Sequence, residues 1–167
     1  MPSENYAILI DGDNINPSFA DKIIANIRER GNIVIKRVYG NFIKNPKWAV
    51  PCIEYFIDAR QIFETINNKN STDIYMVTDC SFAIADSSIH NFVIVSGDGD
   101  FGYLISGLEQ RGKFVIGMST KFESTSSRLL NIFDRFVYLD SVLFFDDDGC
   151  MVGLCLRVGC MELFGYY

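Results

Sequence analysis

The chain has 167 residues and a formal net charge of −6, and its composition is 49% hydrophobic and 22% charged. This composition is typical of one globular domain with a sizeable core, and it excludes a disordered chain. The acidic balance argues against a protein that coats DNA without sequence preference, because a negative surface repels phosphates at long range. An enzyme that meets phosphates through a bound cation stays compatible with it, since clustered carboxylates would serve that cation.

The first half of the chain alternates predicted strands and helices. Residues 6–10 form a short, uninterrupted apolar run, which is typical of a strand buried on both faces. Asn16 and Pro17 then mark the start of a helix that Gly31 ends. The next predicted elements are a strand at 33–39, a helix at 47–56, a strand at 61–66 and a helix that begins at Ser71 or Thr72.

The second half continues the same alternation. Its predicted elements are a strand at 92–95, a helix at 101–110, a strand at 114–117, a helix at 126–133 and a strand at 136–139. Strands that alternate with helices predict a mostly parallel sheet covered on both faces. We therefore expect an α/β fold with three α/β/α layers, and one domain over residues 1–140.

Residues 141–167 break this alternation and are predicted to form a C-terminal extension. Residues 142–145 and 151–156 are predicted to pair as a hairpin around a turn at 146–149. The segment is apolar and poor in charge, so it would be adhesive if it were exposed. We expect it to pack on the body or on a partner subunit, which makes a homo-oligomer a prediction.

The cysteines and the N-terminus predict a cytoplasmic protein. Five cysteines are present, and an odd number without an export signal favours reduced thiols in a cytosol-like compartment. Residues 1–5 carry neither a basic nor a long apolar segment of an export signal. No apolar run is long enough to cross a bilayer, so we expect no membrane association.

Two acidic clusters directly follow predicted buried strands. Asp11, Asp13 and Asn14 follow one strand, and Asp98 and Asp100 follow another. In an open parallel sheet, ligands bind beyond the carboxyl ends of the strands, where the strand order reverses. If the two strands are neighbours, the carboxylates converge there and repel each other unless a cation holds them. Mg²⁺ or Mn²⁺ is the natural cation for such an all-oxygen site.

The third acid of this site is either Asp73 or Asp79. At 3.6 residues per turn, two side chains six residues apart on one helix point in different directions, so only one can face the metal. We prefer Asp73, in the first turn of its helix, although an acid there also stabilises a helix without any chemistry. Each acidic cluster alone is explained more readily by turn chemistry, whereas the two together favour a site.

Ser96 and three aromatic residues each have two possible roles. Ser96 either donates a hydrogen bond to an acid at a strand end or begins the turn after its strand, and we favour the turn. The aromatic residues Tyr39, Trp48 and Tyr103 are candidates for stacking on bases, although single aromatics more often belong to a core or its rim.

The order of these motifs resembles the NYN domain family, in its LabA-like branch. The matching segments are Ile-Asp-Gly-Asp-Asn at 10–14, Asp73, Val-Ser-Gly-Asp-Gly-Asp-Phe at 95–101, and residues 129–140. The resemblance covers residues 6–140. One departure is an extra residue between Lys69 and Asp73, where the family often has Lys-Gly-x-Asp.

The resemblance implies a PIN-like fold and a metal-dependent ribonuclease. It implies that the cation, Mg²⁺ or Mn²⁺, is ligated by four acids with an amide beside them: Asp11, Asp73, Asp98 and Asp100, with Asn14. The implied partner is RNA, with single strands as the expected form, and the reaction is in-line hydrolysis of a phosphodiester bond. Asp13 or Asp100 would help to orient the attacking water.

Two other functions stay open at this point. The order Asp11-Gly12-Asp13 and the later Gly97-Asp98 also resemble a haloacid dehalogenase-type phosphatase, with Asp11 as a covalent nucleophile. Against it, Asn14 and the next residue replace the small hydroxyl-bearing residue expected after that motif. The other possibility is a non-catalytic module of the same fold that binds RNA or protein, although a decayed site has no need of four carboxylates.

Overall fold

The main sheet is parallel and is built around the first strand. The structure, a computed structural model, describes residues 4–63, 71–120, 132–145 and 151–156, with residues 141–145 and 151–156 described by their backbone alone. Its strands are β1 (Asn5–Asp11), β2 (Asn32–Gly40), β3 (Asp58–Gln61), β4 (Asn91–Val95), β5 (Phe114–Ser119) and β6 (Arg135–Tyr138). Within these ranges they form one six-stranded sheet in the order β3-β2-β1-β4-β5-β6, with every neighbouring pair parallel.

Helices cover both faces of this sheet. They are α1 (Ala20–Arg28), α2 (Ala49–Tyr55), α3 (Ser71–Ile84) and α4 (Gly102–Glu109). Three of them are preceded by a 3-10 turn, at Pro17–Phe19, Pro46–Trp48 and Gly99–Phe101. The predicted three-layer α/β/α fold is confirmed.

The residues of β1 divide the core into two layers. Successive side chains of a strand point to opposite faces, and the whole of β1 after its first residue is buried. Ile8 and Ile10 pack into the layer that contains α1, while Ala7 and Leu9 pack into the layer that contains α3 and α4. Burial on both faces explains why the strand is an uninterrupted apolar run.

The strand order reverses between β1 and β4. The chain runs outward from β1 through β2 to β3, and then returns to place β4 on the other side of β1. Ile10 lies opposite Val95 in the register of this pair, so the loops that follow the two strands leave the sheet side by side. This is the topological switch point at which open parallel sheets bind their ligands.

The third strand differs from its prediction. β3 begins at Asp58, directly after the left-handed Phe56 (φ 53°) that ends α2, and it ends at Gln61 rather than beginning there. The strand lies at the edge of the sheet and its first three residues are exposed, so no apolar run marks it. The predicted range 61–66 was therefore wrong at its start, and residues 64–66 lie outside the described ranges.

Two predictions concern the end of the chain. The helix predicted at 126–133 falls outside the described residues, except for Ile132 and Phe133, which form a turn and a bend. β7 (Ser141–Phe145) and β8 (Met151–Leu156) pair antiparallel in a separate two-stranded sheet, as predicted. The domain division at residue 140 and the surface on which this pair packs stay predictions. Among the described helices, none is long and apolar enough to cross a membrane.

Candidate active site

Asp11 is the most enclosed acid of the site. It is the last residue of β1 and its exposed fraction is 0%. Its Oδ2 atom accepts hydrogen bonds from Asn14 Nδ2 at 2.6 Å and from Ser96 Oγ at 2.8 Å, and its Oδ1 atom accepts one from the backbone N–H of Asn14 at 3.3 Å. Burial raises the pKa of Asp11, and these hydrogen bonds oppose the rise. The carboxylate is therefore held in one orientation at the switch point.

Ser96 joins the two strand ends. Its hydroxyl donates to Asp11 and accepts from the backbone N–H of Asp98 at 3.1 Å. The expectation that Ser96 merely begins the turn was wrong, since the side chain also orients the acid of the neighbouring strand. The cause is the pairing of β1 with β4, a contact between residues 85 positions apart.

Asp98 and Asp100 form the rim of the site. Asp98 caps the 3-10 turn Gly99–Phe101, because its Oδ1 atom accepts from the backbone N–H of Asp100 at 3.1 Å. Asp100 is exposed, whereas Phe101 is buried and anchors the turn in the core. The loop after β4 therefore places two carboxylates beside the one at the end of β1.

Asp73 approaches this rim from α3. It lies in the first turn of the helix and is partly buried. Burial is the largest cause that raises the pKa of Asp73 to about 6, and four neighbouring carboxylates contribute next: Asp11, Asp98, Asp100 and Asp13. We call the four acids Asp11, Asp73, Asp98 and Asp100 the acidic group. The structure brings these four predicted site residues together, with Asn14 bonded to one of them.

Asp79 lies outside the acidic group, as its distance of six residues from Asp73 predicts. It accepts hydrogen bonds from the hydroxyl of the buried Tyr39 at 2.9 Å and from Arg37 Nη1 at 3.3 Å. Its Oδ2 atom also lies 3.8 Å from Arg60 Nε. Two arginines thus balance the charge of Asp79.

Asp13 has a role that the sequence did not predict. Its Oδ2 atom accepts from the hydroxyl of Thr72 at 2.7 Å, and its Oδ1 atom accepts from the backbone N–H of Asn41 at 3.1 Å. Asp13 therefore fastens the loop after β1 to the first turn of α3 and to the end of β2. Thr72 comes directly before Asp73, so this clamp sets where that acid lies. The only signal in the sequence was a threonine at a helix start, which is explained as readily by capping.

Gly12 lets the loop after β1 lie directly on β2. A Cβ atom at this position would meet Val38 Cγ2 at 2.7 Å and the carbonyl oxygen of Tyr39 at 2.9 Å. The backbone N–H of Gly12 donates to that oxygen at 2.7 Å, and its carbonyl accepts from the indole of the buried Trp48 at 3.0 Å. A side chain here would push the loop outward and displace Asp11 and Asp13.

The charge of the acidic group is not balanced by the protein in the described ranges. There, no lysine or arginine forms an ion pair with any of its four carboxylates. In the same ranges, no three His, Cys, Asp or Glu side chains form a group that could hold a metal ion as they stand. The oxygen donors suit Mg²⁺ or Mn²⁺ by their chemistry. A shared ion would therefore require the mutually repelling carboxylates to move closer together.

The family model of the NYN domain matches residues 5–140. The chain belongs to the NYN domain family. This family is part of the PIN-like nuclease superfamily, so the protein has a nuclease-type fold. The matched range contains the whole acidic group as well as Asn14.

Two further proteins are similar to this chain. An uncharacterised protein of Methanocaldococcus jannaschii is 32% identical over an alignment of 140 residues, and the match covers 78% of this chain and 56% of that protein. The chain thus spans little more than half the length of this relative. The crystal structure of a protein of unknown function from Vibrio parahaemolyticus has a TM-score of 0.68 at 21% identity, over 88% of this chain and 96% of that one. The second similarity shows the shared fold.

Proposed function

We propose that the protein is a metal-dependent ribonuclease that hydrolyses phosphodiester bonds of single-stranded RNA. The observation that carries this proposal is the convergence of four carboxylates at the switch point, with no lysine or arginine of the described residues paired to them. Asp11, Asp73, Asp98 and Asp100 would hold Mg²⁺ or Mn²⁺. Membership of a nuclease-like family supports the reaction class.

Each residue of the site would have its own role in the proposed hydrolysis. When bound, the ion would lower the pKa of the attacking water and neutralise charge on the scissile phosphate and the leaving oxygen. Asp11 is a fixed ligand, because the side chains of Asn14 and Ser96 already hold it. Asn14 uses its amide to orient Asp11, so it positions a ligand rather than the substrate. Asp100, exposed at the rim, is the better placed of the candidates to orient the water.

A phosphatase of the haloacid dehalogenase type is less well supported. Against that reaction, Asn14 and the next residue stand where the motif is expected to continue with a small hydroxyl-bearing residue. The family match also favours a nuclease. A non-catalytic RNA-binding module of the same fold is the remaining alternative, and the cleavage experiment distinguishes it.

The same proposal includes the family branch, the compartment and the assembly of the protein. The motifs at 95–101 and 129–140 favour the LabA-like branch. Cys52 and Cys80 are free thiols, which is compatible with a reducing, cytoplasmic compartment. The apolar segment 141–167 would join two copies of the chain, and gel filtration of the whole chain beside a chain ending at residue 140 would test this assembly.

Cleavage of end-labelled single-stranded RNA tests the function. The wild-type protein, the Asp98→Asn variant and a matched Asp79→Asn control would be incubated with Mn²⁺, with Mg²⁺ and with EDTA. We expect cleavage that needs a metal, is lost in Asp98→Asn and persists in Asp79→Asn. RNA that is bound but not cut under any condition would identify a binding module, and equal cleavage by all three proteins would exclude the acidic group as the site.

A further inference from the structure

Tyr103 is an aromatic side chain in an unusually open position. Its exposed fraction is 93%, whereas the other two candidates for base stacking, Tyr39 and Trp48, are buried at 0% and 1%. Burial therefore leaves one of the three as a surface that a ligand can reach. An exposed tyrosine ring offers an apolar face at a low cost in side-chain entropy.

The position of Tyr103 relates it to the acidic group. The 3-10 turn that carries Asp100 continues directly into α4, and Tyr103 follows Asp100 by three residues. Side chains three residues apart lie on the same face of a helix. Phe101, Leu104 and Ile105 are buried on the other side and fix the orientation of the segment. The ring of Tyr103 thus lies on the solvent side, one turn from a carboxylate of the site.

The negative charge of the molecule favours an uncharged contact with the substrate. The chain carries a net charge of −6 and its acidic group repels phosphate until a cation is bound. Stacking of a base on an aromatic ring needs no positive charge and tolerates any base sequence. It does need an unpaired base, because a base inside a duplex is already stacked on both sides.

We propose that Tyr103 is a base-stacking platform that holds an unpaired nucleobase of single-stranded RNA next to the scissile phosphate. This inference rests on the proposed nuclease function of the acidic group, and it identifies the side chain that would select single-stranded RNA. Tyr103 is then a specificity-determining residue that touches the base, while the carboxylates act at the phosphate. Loss of its ring weakens substrate binding and leaves the chemical step unchanged.

Tyr75 provides a matched control. It is also an exposed tyrosine, at 58%, on a helix that carries an acid of the group, but it follows Asp73 by two residues. Residues two apart do not share a face of a helix. Removal of its ring should therefore leave the site unaffected.

The test combines variants of the protein with abasic substrates. Cleavage of a short single-stranded RNA would be measured for wild type, Tyr103→Ala, Tyr103→Phe and Tyr75→Ala. The same RNA would be used with one abasic residue placed at each position in turn. We expect Tyr103→Ala to raise KM about 10-fold with kcat nearly unchanged, and Tyr103→Phe and Tyr75→Ala to match wild type.

One abasic position beside the cleaved bond should reproduce the effect of the variant. This abasic RNA should raise KM about 10-fold for wild type and cause no further loss for Tyr103→Ala, since both changes remove the same contact. Tyr103→Ala should also lose most of the preference of the wild type for single strands over duplex. Unchanged KM in Tyr103→Ala, or losses that add independently at every abasic position, would overturn the proposal.

Failure of the nuclease function is distinguishable from failure of this inference. If no RNA is cut, fluorescence anisotropy of the same oligonucleotides with the same proteins measures binding alone. A non-additive loss between Tyr103→Ala and one abasic position would then support stacking without cleavage. Equal binding by wild type and Tyr103→Ala to every oligonucleotide would contradict it.

Discussion

Two groups of carboxylates each include a residue of α3, and they differ in whether arginine side chains pair with them. Asp79 and Asp58 face Arg37 and Arg60, with nitrogen to oxygen distances between 2.9 and 3.8 Å. The acidic group, which meets α3 through Asp73, has no ion pair with a lysine or arginine of the described residues. The arginines therefore pair with the first group within the described residues, whereas the second group has no such partner there and is the proposed site of a cation.

The two groups also differ in what they contribute to folding. Asp79 accepts hydrogen bonds from Arg37 and from the buried hydroxyl of Tyr39, and Arg60 forms an ion pair with it, so the fold itself supplies its partners. Burial, and after it repulsion by neighbouring carboxylates, opposes the ionised form of Asp73 and raises its pKa to about 6. Strong perturbation of a carboxyl by burial and like charges is typical of functional sites.

The largest expected effect is on the rate of RNA cleavage, which should depend on the acidic group and not on Asp79. We expect Asp11→Asn to lower metal-dependent RNA cleavage at least about 100-fold, because it replaces a carboxylate at the centre of the acidic group by a neutral amide and so removes a negative charge that would hold the cation. Asp79→Asn keeps an oxygen that accepts from Tyr39 and should stay within about threefold of wild type. Rates of cleavage at saturating Mn²⁺ measure both. Similar losses in the two variants would remove the functional distinction between the groups.

The next effect is on stability, and it concerns the two acids that pair with arginines. Asp79→Ala leaves the hydroxyl of the buried Tyr39 without its acceptor and removes one of the two acids that face Arg37, so we expect a loss of about 2 kcal/mol in the free energy of unfolding. Asp58→Ala removes a more exposed acid and should cost less than about 1 kcal/mol. Urea unfolding in EDTA measures both variants. A larger loss in Asp58→Ala than in Asp79→Ala would contradict this ranking.

A smaller effect concerns the clamp between Asp13 and Thr72. Asp13→Ala and Thr72→Val each remove one side of the 2.7 Å hydrogen bond that sets the start of α3. We expect each to weaken Mn²⁺ binding about 10-fold, and the double variant to be no worse than either single variant. Isothermal titration with Mn²⁺ provides the double-mutant cycle. Thr78→Val on the exposed side of the same helix is the control, and additive losses would show that Asp13 acts independently of Thr72.

The smallest effect is a change of stability with pH. The pKa of Asp73 rises from 3.8 to about 6 on folding, so the folded protein binds the extra proton between these values. The free energy of unfolding in EDTA should therefore fall as the pH rises through this window. Asp73 is partly exposed, so we expect Asp73→Asn to be more stable than wild type by about 1 kcal/mol at neutral pH and equal to it in acid. Parallel profiles for the two proteins would contradict a raised pKa at Asp73.

The sequence predicts the central strands better than the edge of the sheet. β1 and β4 are apolar runs bounded by turn residues, and both lie within one residue of their predicted ends. Asp58 begins a polar edge strand that has only one neighbour in the sheet and is recognisable mainly from its pairing with β2. Hydrophobic patterning reports burial, so it fails where a strand is exposed.

The same limit applies to the site. Asp11 and Asp98 are predictable because the acid directly follows a buried strand, and the fold of a parallel sheet brings such ends together. The bonds of Ser96 to Asp11 and of Thr72 to Asp13 join residues 85 and 59 positions apart, and no local pattern marks them. Tyr103 is distinguished from the other two stacking candidates, Tyr39 and Trp48, only when its exposure is known.

Binding of Mn²⁺ tests most directly whether the unbalanced acids are a cation site. Free Mn²⁺ would be titrated by electron paramagnetic resonance at neutral pH against wild type, Asp98→Asn and Asp79→Asn. We predict that wild type and Asp79→Asn bind with equal affinity and that Asp98→Asn binds at least about 10-fold more weakly. Absence of binding by wild type, or equal binding by Asp98→Asn, would contradict the assignment of the acidic group as a metal centre.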